Sequence, residues 1–323
     1  MRGVLLLNVG TPAECSKSAV EQFIGDMLSD PLVLDKFQPL LSKFLARQII
    51  APLSASKSLG KYSLIWRKEE PRMSPILYYM QQLSNKLEKQ KNVPVEIAMR
   101  YGSPSIEAAF NSLIQKNSQI TEVVAFPLIP HFAQSSTQTL TEEVEKVYNK
   151  NSYSFDLKIA ESYYNNSDFI DALSTHVKEY STCHFDRLVF TYHSLPVHQV
   201  KRAWEKGKEF DYVYQLKETN QLLIKRLEVE QNKTLLLYSS QRGRGWLKPF
   251  LNNEIAHLPK HGWKNIAIIA PGFPVDNLET LYDIDIEARE LFMQSGGTKF
   301  TFIPSLNAED YWIDAIWKII STI

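Results

Sequence analysis

The chain has 323 residues, 36 Lys and Arg against 36 Asp and Glu, with 44% hydrophobic and 22% charged residues. Those proportions exclude a disordered, collagen-like or coiled-coil chain, and a length of this order implies about two domains with a large core. Balanced charge supplies no global pull toward nucleic acid, and two cysteines, Cys15 and Cys183, are too few for a disulfide framework, an iron–sulfur cluster or a Cys-rich zinc site.

The first apolar run, residues 3–9, is too short for a signal peptide's hydrophobic region, and no window approaches about 18 uncharged apolar residues. A soluble, cytoplasmic protein is the expectation. Between residues 37 and 52, Phe37, Leu40, Leu41, Phe44, Leu45, Ile49 and Ile50 recur at helical spacing, with Lys36, Lys43 and Arg47 between them. On periodicity this is an amphipathic helix packed on its lobe. Further short runs at 93–101, 122–129 and 155–162 complete a first half, each followed by a helical pattern. Arg100, near the end of one run, suits a carboxylate partner, either a ligand's or a neighbouring acidic side chain. The second half repeats the rhythm at 187–192, 234–239, 265–271 and 299–304. Near-continuous Val, Ile and Leu runs alternating with helices imply parallel sheets covered on both faces. The expected fold is α/β, with two similar Rossmann-like lobes, each a four-stranded parallel sheet flanked by helices. The division is placed near residue 165, giving lobes 1–165 and 166–323. Ligands in such folds sit beyond the carboxyl ends of the strands, here expected in the cleft between the lobes.

Two places carry chemistry. His193 ends the run Leu188-Val189-Phe190-Thr191-Tyr192, and Pro196 follows three residues later. An imidazole at a strand's carboxyl end is either a proton or metal group, or a strand cap bonded to a loop carbonyl. After the seventh run, Asp276 is a good N-cap, and Glu279, Asp283 and Glu287 follow at steps of four on one helical face. Leu278, Leu281 and Ile284 would supply the core side. The acidic line is either a solvated surface or a path for cations. Imidazole with carboxylate suits ferrous iron or zinc, or general acid–base work. His257 and His261 flank Pro259, which makes a shared helical face and a metal pair improbable; a solvated loop is expected. No G-x-x-x-x-G-K-[ST] and no strand-to-helix G-x-G-x-x-G is present, so nothing supports an ATP- or NAD-driven reaction.

Several motifs resemble those of the ferrochelatase family, which inserts metal in the last step of haem synthesis. Leu5-Leu6-Leu7-Asn8-Val9-Gly10-Thr11-Pro12 is similar to its opening strand and turn, and Leu28-Ser29-Asp30-Pro31 to the loop after its first helix. Ser74-Pro75-Ile76, Ala98-Met99-Arg100-Tyr101-Gly102 and Pro127-Leu128-Ile129-Pro130-His131-Phe132 match further signatures. His193-Ser194-Leu195-Pro196 resembles the family's His motif, and Leu278-Glu279-Thr280-Leu281 its Glu motif, in the family's order. Departures lie at residues 238–249, an altered form of the F-Q-S-R-F-G…W-L-x-P segment, at Asp211-Tyr212, and in a charged insertion between Tyr62 and Ser74.

The resemblance implies that His193 and Glu279 are catalytic, facing each other across the cleft beside a porphyrin, and that both touch the metal. Asp283 and Glu287 would extend the acidic line, on a helix carrying a π-type widening. Val9, Arg100, Tyr101, His131 and Ser194 are the expected substrate-binding residues, Arg100 through a propionate. The expected reaction is insertion of Fe2+ into protoporphyrin IX with release of two protons, without ATP, an organic cofactor or an iron–sulfur cluster. Val9 precedes Gly10 where coproporphyrin-using relatives often carry Tyr. The alternatives are a coproporphyrin III enzyme, Co2+ insertion into a related tetrapyrrole, or a non-catalytic porphyrin or haem carrier. Segment 37–52 would form a lip of the cleft, with peripheral membrane contact where the hydrophobic substrate partitions. Porphyrin and ferrous iron are the partners; no nucleic acid is expected.

Overall fold

A computed structural model describes residues 1–35, 38–180, 185–240, 243 and 245–323. Lys36, Phe37, Cys183, Gln241, Arg242 and Arg244 of the features above lie outside the described residues. All eight apolar runs are strands: β1 (Arg2–Gly10), β2 (Val95–Tyr101), β3 (Glu122–Pro127), β4 (Asp156–Ile159), β5 (Arg187–His193), β6 (Thr234–Ser239), β7 (Asn265–Ile269) and β8 (Lys299–Phe302). They form two four-stranded sheets, ordered β2-β1-β3-β4 and β6-β5-β7-β8. Every pairing is parallel. Parallel neighbours need a crossover, and the intervening helical segments supply it.

The chain divides into two compact units, one of Met1–Ile129, Ala133–Glu161 and Ala308–Ile323, the other of Pro130–Phe132 and Ser162–Asn307. One change of unit falls after Glu161. The final stretch differs from a simple 166–323 division, because the helix Asp310–Ser321 returns to the first unit. Its Trp312 is fully buried with its ring 6.3 Å from that of Phe126 on β3, and Arg2 on β1 donates to the Ile320 carbonyl at 2.6 Å. A helical pattern announces an apolar face but not which sheet will cover it.

In the first unit Val4, Leu5, Leu6 and Leu7 of β1 are all fully buried, as expected for a central strand covered on both faces. Two glycines close its carboxyl edge. A Cβ on Gly10 (φ +128°) would fall 1.9 Å from the Tyr101 carbonyl oxygen, and one on Gly102 (φ +97°) 2.7 Å from that of Thr11. Only glycine allows both the close approach and the positive φ.

Segment 37–52 corrects the expectation of an apolar face packed inward. It runs as a helix Pro39–Leu45, a π-turn Ala46–Ile50 and a helix Ala51–Ile65. The buried side carries Ser42, Ala46, Ala51 and Ala55, whereas Leu40 (85% exposed), Leu41, Phe44, Ile49 and Leu53 (79%) point outward. Small residues let this helix approach the helix Lys17–Leu28 closely: a Cβ on Gly25 would lie 3.7 Å from that of Ala51. The large apolar side chains are therefore left on the outside. His257 and His261, as expected, are exposed on a short 3-10 turn.

The strand order places a topological switch in each unit, between β1 and β3 and between β5 and β7, where successive crossovers leave in opposite directions. The crevice outside the carboxyl ends of those strands is where such sheets bind ligands.

Candidate active site

At the switch point of the second unit stand the two motif residues. His193 is the last residue of β5, and Glu279 opens the helix that follows β7, the neighbouring strand. Adjacent strands lie only about 4.8 Å apart. The two side chains therefore meet directly, His193 Nδ1 lying 2.6 Å from Glu279 Oε2. This corrects the expectation that they face each other across a cleft: they are one hydrogen-bonded pair within one unit.

The sequence builds the Glu279 platform in three steps. First, Asp276 is buried and accepts from the Ser305 amide at 3.1 Å and from Asn307 Nδ2 at 2.8 Å, pinning the loops after β7 and β8 together. It is thus a loop anchor rather than the helix cap expected for it. Second, Asn277 does the capping: its Oδ1 accepts from the Glu279 amide at 2.8 Å, and Thr280 Oγ1 accepts from the Asn277 amide at 2.9 Å. The two form a reciprocal capping box, with Thr in the place usually held by Glu or Gln. Third, the helix from Glu279 to Ala288 is wound as a π-helix throughout, a form usually confined to single turns and frequent at functional sites. Its winding puts Thr280, Ile284 and Ala288 on the buried side. Leu278 and Leu281, expected there, are only partly buried.

Both oxygens of Glu279 are engaged. Ser239, at the end of β6, donates its hydroxyl to Oε1, and Oε2 receives His193 Nδ1–H. Burial pushes the Glu279 carboxyl up, but the His193 imidazole and the hydroxyls of Ser239 and Ser240 outweigh it and hold the group below its usual value. Glu279 is therefore an anion with only 12% of its side chain exposed. An anion accepts and does not donate, so in a neutral imidazole here Nδ1 would carry the hydrogen and Nε2 the lone pair. The His193 side chain is 34% exposed. Behind it, the Tyr212 hydroxyl donates to the His193 carbonyl at 3.0 Å, and burial keeps that phenol protonated by raising it well above its usual value. The Trp246 ring packs edge-on to the imidazole at 6.5 Å between centroids. Trp246 is brought there by a short backbone pairing, Val197 N to Gly245 O and Leu247 N to Leu195 O, both 2.9 Å.

The other expected site residues are placed differently. Asp283 and Glu287 continue along the π-helix, with Glu287 Oε2 accepting from Asn252 Nδ2 at 2.8 Å. Among the described residues no group of three or more His, Cys, Asp or Glu side chains is close enough to hold a metal ion. His193 and Glu279 meet; the two further carboxylates are not gathered with them. Ser194 is fully buried, its hydroxyl donating to the Leu247 carbonyl at 2.9 Å, so it braces the Trp246 loop. His131 is also buried, with Nε2 2.9 Å from Thr219 Oγ1, and burial pushes its imidazole down to about 3. It is a neutral core group against the rings of Tyr192 and Tyr212, placed behind the His193 strand rather than at an open surface.

In the first unit, Arg100 is committed to an internal network. Its Nη2 lies 2.7 Å from Asp30 Oδ2 and its Nε 2.9 Å from Thr139 Oγ1, while Tyr101 donates its hydroxyl to the same Asp30 oxygen at 2.8 Å. Arg100 thus makes an ion pair with a neighbouring acidic side chain, Asp30. Val9, next to last in β1, is partly buried, its amide bonded to Asn8 Oδ1 at 2.8 Å. Ser239, Tyr212 and Asn277 were missed in the sequence. Asn277 could have been found as half of Asn277-x-x-Thr280; Ser239 needed the register that pairs it with His193.

Comparison with known proteins adds an independent line. The family model described as Ferrochelatase matches residues 1–322. A ferrochelatase of Francisella tularensis subsp. holarctica (strain OSU18) is 34% identical over 328 aligned residues, covering 99% of this chain and 95% of that protein. The ferrochelatase of Francisella tularensis subsp. novicida (strain U112) is 33% identical over 329 residues with the same coverage. Among solved structures, SirB from Bacillus subtilis with Fe3+ aligns at TM-score 0.51 and 16% identity, covering 77% of this chain and 91% of that one. DR2241 from Deinococcus radiodurans, a multi-domain protein with structural similarity to chelatases, aligns at TM-score 0.54 and 7% identity, covering 99% and 54%. At such identities these two likenesses concern the fold.

Proposed function

The chain belongs to the ferrochelatase family and is a metal-inserting chelatase of the haem type; from that premise we propose that it inserts Fe2+ into protoporphyrin IX, using His193 Nε2 as acceptor for a pyrrole proton. A free-base porphyrin holds two N–H protons in its ring, and both must leave before four nitrogens can bind a divalent ion. Its lone pairs lie in the ring plane, so help comes from bending the macrocycle, delivering the ion at one face and accepting protons at another. The observation that carries the reading is the 2.6 Å contact between His193 Nδ1 and Glu279 Oε2. The contact fixes the tautomer, leaves Nε2 basic, and stabilises the imidazolium that forms on proton uptake. Glu279 assists by carrying that charge, and both residues can touch iron in passing. Asp283 and Glu287 offer an acidic line for proton exit or cation entry.

Val9, in place of the Tyr that coproporphyrin-using relatives often carry, supports protoporphyrin IX. The lack of a phosphate-binding glycine motif supports an ATP-independent reaction, and two cysteines support one without an iron–sulfur cluster. We place the work in the cytoplasm, with peripheral membrane contact through the outward Leu40, Phe44 and Leu53. No helix among the described residues is long and apolar enough to cross a membrane. The test is anaerobic incubation of the protein with ferrous iron and either porphyrin, followed in the Soret and Q bands. Metallation of protoporphyrin IX ahead of coproporphyrin III is expected; the reverse order favours the coproporphyrin enzyme, and binding spectra without metallation favour a carrier.

A further inference from the structure

We propose that Ser239 is a positioning residue of the insertion site, its hydroxyl holding one oxygen of Glu279 so that the other stays on His193. The inference rests on the function proposed above and adds a residue outside the His193 and Glu279 motifs. Ser239 is the register partner of His193 across β5 and β6, so the last rung of the ladder sets its place. It is 3% exposed, and its one hydroxyl hydrogen faces two acceptors, Glu279 Oε1 and, at 3.0 Å, the Tyr192 carbonyl. A hydrogen bond to an ionised carboxylate is roughly twice as strong as one to a neutral carbonyl, so the carboxylate takes it.

The residue that follows adds a second observation. Ser240 has φ +57°, a left-handed conformation that a non-glycine residue adopts at a cost. Strain of this kind persists only where surrounding contacts hold it in place, and it concentrates at functional sites. The end of β6 thus carries a strained residue directly after the hydroxyl that holds the carboxylate. With Oε1 held, the carboxylate plane cannot rotate away from the imidazole, and Nε2 keeps a fixed direction. Without Ser239, Glu279 retains His193 but loses the contact that sets its plane.

The test compares the full chain with Ser239→Ala and Ser239→Thr, measuring anaerobic insertion of ferrous iron into protoporphyrin IX, KM for the porphyrin and the thermal midpoint. Loss of a group that orients a metal-site ligand lowers activity about 10- to 100-fold. Ser239→Ala is expected to lower kcat by that factor with KM and midpoint unchanged, and Ser239→Thr to restore it. Should the alanine variant unfold, Ser239→Cys, which keeps the volume and weakens the donor, serves the same comparison. An active wild type whose kcat survives Ser239→Ala overturns the inference alone, as does a loss that follows the midpoint and is not rescued by threonine. A wild type that metallates neither porphyrin overturns the proposed function and this inference together.

Discussion

Glu279 and Asp30 are both carboxylates held below their usual range, one in each unit, and they serve different ends. At Glu279 the anion sets the tautomer of His193. Glu279→Gln keeps the shape but removes the charge that stabilises the imidazolium, so insertion is expected to fall on the order of 100-fold while porphyrin binding, read by fluorescence quenching, is retained. At Asp30, burial raises the carboxyl, but Thr139, the Leu32 amide, Tyr101 and Arg100 outweigh it. Asp30→Asn leaves the Arg100 guanidinium mostly buried beside only the more distant Glu143 carboxylate, 3.6 Å away. Loss of one partner of such a pair costs about 3 kcal/mol, readable as a lowered urea midpoint at neutral pH. His131 carries the opposite charge logic. Its folded value of about 3 lies below the ordinary 6.5, so the unfolded chain binds the extra proton between those limits. Stability is thus complete above the ordinary value and is lost as pH falls below it. Unfolding midpoints taken from neutral pH to about 5 should drop more steeply for the wild type than for His131→Gln. Equal slopes would contradict the buried neutral assignment.

Elements differ in how far their meaning is local. The helix from Glu279 was partly readable: three carboxylates at steps of four and a cap nearby are sequence features. Which residue caps it was not, since Asp276 and Asn277 are both good caps and only the Ser305 and Asn307 contacts draw Asp276 away. Asn277→Ala should cost about 1 kcal/mol in unfolding free energy, and it should lower insertion by loosening Glu279 at the first turn. A variant as stable and as active as the wild type would contradict the capping role. Segment 37–52 shows the opposite limit. Its helical spacing was correct, but the face that turns inward was decided by close helix approach at Gly25, Ala46 and Ala51, which favours small residues over large. Replacing Leu40, Phe44 and Leu53 together by Ser should leave the unfolding free energy from urea titration within about 0.5 kcal/mol per site. The same change should reduce cosedimentation with anionic phospholipid vesicles; unchanged cosedimentation would contradict a membrane-facing lip.

For the whole molecule, strands were the most legible feature. A parallel strand buried on both faces is written as a continuous apolar run, and all eight runs became strands, with one ordering of crossovers used twice. What stayed hidden depends on pairing between distant segments: the return of Asp310–Ser321 to the first unit, the register that sets Ser239 beside His193, and the burial that withdraws His131 and Ser194. The motif pair itself was legible because His193 and Glu279 follow the two strands that flank the switch point. In the proposed reaction His193, as the proton acceptor, is the group on which insertion turns most. The most direct measurement is single-turnover metallation of bound protoporphyrin IX by ferrous iron in His193→Ala, with porphyrin affinity measured on the same sample. Porphyrin that binds as tightly as to the wild type but stays metal-free is the predicted result. Metallation at the wild-type rate would contradict it.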